Sequence, residues 1–119
     1  MAEGRFSREI EGVVDAVLTT PGDLPPAVRS AVFARAFALA GGDRQGRGAE
    51  GEVPADAQSF VDKVARHAWK VTDEDVDALK AAGYSEDAIF ELIVSTATGS
   101  GAGRLERSLA ALDAATGRN

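Results

Sequence analysis

The sequence predicts an all-α fold, a single-domain helical bundle of about five to six helices. Apolar residues recur at steps of three and four, the spacing that places them on one face of a helix. Proline, glycine, serine and threonine punctuate these stretches where helices start and stop. The chain has 119 residues and is 45% hydrophobic, enough for one core built mainly from Ala, Val, Leu and Ile.

The first helix is marked by Phe6, Ile10, Val13, Val14, Val17 and Leu18, and Thr19, Thr20, Pro21 and Gly22 end it. Pro25 and Pro26 suit the first turn of a second helix, where a missing N–H costs nothing. That helix runs to about Ala40, with Gly41 and Gly42 as its stop. Residues 41–53 carry five glycines and little to bury, which predicts a mobile loop. Pro54 opens the third helix, whose stripe is Ala57, Phe60, Val61, Val64, Ala65 and Ala68. The fourth has the strongest start signal. Thr72 is its N-cap, Asp75 completes a capping box, and Val71 and Val76 form a hydrophobic staple. Gly83 ends it, and Ser85 caps a fifth helix, with Tyr84 and Ile89 as the staple.

Gly99-Ser-Gly-Ala-Gly103 then interrupts the pattern before Leu105, Ser108, Leu109 and Leu112 resume it. The apolar face stays nearly in phase across the glycines, which favours one helix making a tight contact there over two separate helices. The expected neighbour is another subunit of a homo-oligomer, with Ala97 to Leu109 at the contact. On that reading, replacing Gly101 by Leu weakens assembly or stability.

Charge and cysteine content exclude several functions. The net charge of −6 disfavours nonspecific binding to nucleic acid or to an anionic membrane. The absence of cysteine removes disulfides, thiolate metal sites and thiol nucleophiles. The first residues lack the apolar core of a signal peptide, and no apolar run reaches the ~20 residues of a membrane span, so a cytoplasmic protein is expected.

Few side chains are candidates for chemistry. The run from Phe90 to Arg104 reads superficially as strand, glycine turn and helix. Its spacing is G-x-G-x-G, however, and too little chain follows for a second strand, so it is no dinucleotide motif. No cofactor and no metal are expected. The one histidine, His67, is the natural general base, although a packed boundary residue is the plainer reading. Most acids sit at helix starts, where capping explains them. Glu91 lies past the first turn of its helix and beside the apolar face. Arg104 follows the glycines and suits either an anion or a structural ion pair.

The run from Val64 to Leu92 resembles the carboxymuconolactone decarboxylase and alkylhydroperoxidase-D-like superfamily. The shared features are a Thr-Asp-x-Asp-Val-x-x-Leu helix start at Thr72–Leu79, an Ala-Gly-x-Ser-x-x-x-Ile turn at Ala82–Ile89, and an arginine, Arg104, in the closing helix. The resemblance covers residues 54 to about 112 and implies an all-helical homo-oligomer. The superfamily's peroxidase branch needs a Cys-x-x-Cys pair that this chain lacks. Its decarboxylase branch works with acid–base residues between helices, for which His67, Glu91 and Arg104 are the candidates. Relatives often carry asparagine where this chain has Ser100 and Gly103.

Three functional readings follow: a small-molecule-binding or non-catalytic homo-oligomer of this superfamily; a cysteine-independent decarboxylase or isomerase of a small carboxylate, with His67 as base and Arg104 as anion clamp; and a helical protein–protein interaction module.

Overall fold

The computed structural model describes residues 6–42 and 52–117. Most of the glycine loop expected at 41–53 lies outside the described residues. The elements are α1 (Phe6–Thr19), α2 (Pro26–Leu39), α3 (Ala55–His67) with a 3₁₀ turn at Ala68–Lys70, α4 (Asp73–Ala81) and α5 (Glu86–Thr116). The described residues contain no strand.

The local signals act as the sequence implies. Pro25 caps α2 and Pro26 fills its first position. Thr72 Oγ1 accepts from the Asp75 amide, and the Asp75 carboxylate accepts from the Thr72 amide at 2.9 Å, closing the capping box. Gly83 turns the chain at φ +104°, a conformation that a side chain would oppose, and delivers Ser85 to cap α5. Val71, Val76 and Tyr84 are half-buried against the main core, as staples are.

α2 is the central helix. Ala31, Val32, Phe33, Ala34, Ala36 and Phe37 are all buried, so nearly its whole circumference is covered. On one side Val32 joins Phe60 and Val61 of α3, Leu79 of α4, and Ile89 and Leu92 of α5. On the other, Phe33 and Phe37 stack at 5.9 Å and pack against Val14 of α1.

α5 is one unbroken helix that lies along α2 in the same direction. A Cβ on Gly99 would collide with the Phe33 carbonyl, and one on Gly103 would stand 2.5 Å from the Phe37 carbonyl. One turn further on, Gly41 meets Arg107. The two helices thus advance in step, four residues at a time, as interlocking ridges do. Within the chain, the glycines divide into two that meet a helix and one that does not. The helix that approaches Gly99 and Gly103 is α2 of the same chain. Gly101 points away from α2, and among the described residues of the other elements nothing lies within 4 Å of a Cβ placed there. Of the apolar residues assigned to buried faces, Val13, Ala68, Leu105 and Leu112 are exposed.

Candidate functional site

Four residues before Phe33 and Gly99, towards the N-terminal ends of α2 and α5, stand Arg29 and Ser95. Both residues border a cavity of about 150 Å³. Arg29 stands in the first turn of α2 and is only 3% exposed. Its Nη1 donates to the Val17 carbonyl at 2.8 Å. The sequence creates that need: the helical partner of Val17 would be residue 21, and Pro21 has no N–H to give. Arg29 therefore ties the end of α1 to the start of α2.

That bond uses one nitrogen of three. Nε and Nη2 of Arg29 are buried and have no hydrogen-bond partner, and neither has the buried Oγ of Ser95. No described carboxylate forms an ion pair with Arg29. A guanidinium keeps its charge at any physiological pH. Burying it without a counter-charge costs several kcal/mol. The other arginine of α2 behaves differently. Arg35 holds Asp62 of α3 through Nε at 2.5 Å and Nη2 at 2.8 Å. Bonding to Arg35 pulls the Asp62 carboxyl below its ordinary pKa, and the same bond raises that of Arg35. α2 thus carries two arginines, one with its fork filled by a carboxylate and one with the same fork free.

The remaining walls of the cavity are mostly apolar: Ala16, Val17 and Pro21 from the end of α1, and Phe90 and Val94 from α5. Thr20 also lines it, but its hydroxyl already donates to the Ala16 carbonyl. A water needs roughly 10–15 Å³ on this measure of volume, so the space holds a molecule of several heavy atoms.

The three residues singled out by sequence are not gathered in one place. Glu91 does line the cavity, but both its oxygens are occupied: they accept from the Asp23 amide at 2.8 Å and the Leu24 amide at 2.7 Å. Ser85 Oγ donates to the Asp23 carboxylate and braces the same turn. Glu91 is thus an anchor for the α1–α2 turn. Arg104 is exposed, thirteen residues further along α5, about 20 Å away at 1.5 Å per residue. Its Nη2 donates to the Ala65 carbonyl near the end of α3 at 3.2 Å. His67 ends α3, is exposed, and meets Trp69 edge-on with ring centroids 5.0 Å apart.

A second groove, of about 340 Å³, runs between α1 and α5 beside Val13, Gly101 and Leu105. Glu9 is the one charged side chain on its walls, so it offers no comparable chemistry. Among the described residues no cluster of three or more His, Asp or Glu side chains suits a metal ion, and no helix is long and apolar enough to cross a membrane.

Arg29 is the residue that sequence reasoning missed, and a signal for it existed. Pro26–Leu39 is apolar on nearly every side, which marks a covered helix, and Arg29 and Arg35 are its only charged residues. A charge in such a helix needs a partner. No protein-family model, curated protein or solved structure matches the chain.

Proposed function

We propose that this protein is a small helical binding domain whose cavity between α1, α2 and α5 takes a small anionic molecule on Arg29. The observation that carries this reading is the buried guanidinium with two free donors. An anion arriving there supplies the missing hydrogen-bond acceptors and a negative charge in direct contact, which Glu91, held by the Asp23 and Leu24 amides, does not. The superfamily resemblance supports a site between helices and a homo-oligomeric assembly, which light scattering at micromolar concentration reads directly.

Thermal unfolding at constant ionic strength tests the anion site. A ligand that binds only the folded state raises the melting temperature. Small anions should do so for the wild type and not for Arg29→Met. In the absence of a ligand, Arg29→Met should melt close to the wild type, because the lost bond to Val17 is offset by the removal of an unpaired buried charge. Equal responses of the two proteins, or no response from either, would show the reading to be wrong.

A further inference from the structure

We infer that the ligand of this cavity is a monocarboxylate with a short apolar tail, gripped side-on by Nε and Nη2 of Arg29. The inference rests on the Arg29 cavity being the binding site. It adds the chemical class of what binds.

The first argument is the fork. Nε and Nη2 lie on one edge of the planar guanidinium, and their two N–H bonds point the same way to match the spacing of two carboxylate oxygens. This protein already shows what that edge takes, since Arg35 holds the Asp62 carboxylate with the same two nitrogens. At Arg29 the edge has no protein acceptor and is closed off from solvent, so a ligand in the cavity reaches it as the side chains over it give way.

The second argument is the supply of donors. Beyond the fork, the free hydroxyl of Ser95 adds one more, while that of Thr20 is already engaged with Ala16. Three donors suit the two oxygens of a carboxylate. A phosphate would bring further oxygens into a space whose other described walls are apolar carbons and a carboxylate.

The third argument is charge. Glu91 lines the same cavity, and its own oxygens are held towards the Asp23 and Leu24 amides. A single negative charge on Arg29 leaves one cation and two anions around the site. A dianion adds a further repulsion against Glu91. The cavity therefore selects a monoanion. Its apolar side, formed by Val17, Pro21, Phe90 and Val94, has no polar partner to offer and suits a hydrocarbon tail.

Three probes separate these points: sodium butanoate, its uncharged amide butanamide, and inorganic phosphate. Each is titrated at constant ionic strength, reading the melting temperature and saturation transfer to the tail protons of the organic probes. Butanoate should raise the melting temperature by about 6 °C at ten times its dissociation constant. It should also show transfer to its methyl and methylene protons, and butanamide and phosphate should do neither. Ser95→Ala changes a single buried oxygen and should weaken butanoate about fivefold, the loss of one hydrogen bond. Arg29→Met should abolish the effect. If phosphate acts through Arg29 and butanoate does not, the carboxylate inference is overturned and the anion site stands. If butanamide matches butanoate, or no probe acts, both fall. An undiminished butanoate affinity in Ser95→Ala would remove the hydroxyl from the grip and overturn the three-donor argument.

Discussion

Gly99 presses its Cα against the carbonyl of Phe33, closer than any side chain would allow, and this contact fixes how α5 lies on α2. A methyl group there must push against backbone, which cannot rotate away. Gly103 repeats the relation with Phe37 one turn later, while Gly101 between them faces open space. Gly99→Ala and Gly103→Ala should each destabilise the fold by about 1–3 kcal/mol, the range for overpacking a close contact. Gly101→Ala should stabilise it by about 0.5–1 kcal/mol through helix propensity alone. Urea midpoints of the three variants check the pattern. Equal effects at 99 and 101 would mean that α2 and α5 are not in this register.

Tyr84 is the chain's one tyrosine, so its ionisation can be followed by absorbance without interference. Burial, together with its 2.6 Å bond to the Asp56 carboxylate, lifts its pKa from 10.0 to about 12. The neutral phenol is the form that the fold favours. Its contribution is complete below the unfolded value of 10.0 and disappears as the pH rises towards 12. The tyrosinate signal should therefore appear near pH 12 in the native protein and near pH 10 in urea. Tyr84→Phe should lose about 0.5–1.5 kcal/mol at neutral pH and show a shallower alkaline decline. A native titration near 10 would place the hydroxyl in water, away from Asp56.

Much of this fold is local and therefore readable. The caps at Thr72 and Ser85 involve residues three apart, and the stripe of Phe60, Val61 and Ala65 follows from helix geometry alone. What could not be read this way depends on who meets whom. Glu91 looked like chemistry because its two partners, Asp23 and Leu24, are nearly seventy residues away. The glycines at 99 and 103 signalled a close approach correctly but could not say which helix approaches. Arg29 went unnoticed because its burial comes from α1 and α5, and only the all-round apolar character of Pro26–Leu39 hints at it.

Asp62 contributes to the acid limb of the stability curve. Its bond to Arg35 holds the carboxyl below the ordinary 3.8. A depressed carboxyl stabilises the fold at pH values above its unfolded pKa, and that contribution is lost as the pH falls below 3.8 and through the lower folded value. Both side chains are about one-third exposed, so solvent screening limits the effect to about 0.5–1 kcal/mol. Asp62→Asn should lose that amount at pH 7 and show a smaller decline in urea midpoint between pH 5 and pH 2. Identical acid limbs in the two proteins would mean that the pair contributes nothing to stability.

Glu91 and His67 began as partners in one catalytic set, and their expected mutational responses now separate. Glu91 accepts two backbone amides, and a carboxylate acceptor makes each bond stronger than a neutral one. Gly22 lies flat beneath it, where a Cβ would stand 2.5 Å from its carboxylate, so the turn is shaped around this side chain. Glu91→Ala strips both acceptors from the turn and leaves the Leu24 amide, which is partly buried, to find water. It should cost about 1–3 kcal/mol. The change should also loosen the α1–α2 turn, seen as faster amide exchange at Asp23 and Leu24. His67 is exposed and touches Trp69, itself 76% exposed. His67→Ala should therefore stay within about 0.5 kcal/mol of the wild type, as surface substitutions do. If His67→Ala proves as damaging as Glu91→Ala, the end of α3 carries a contact that this arrangement does not contain. If Glu91→Ala leaves exchange at Asp23 and Leu24 unchanged, Glu91 is not what holds the turn.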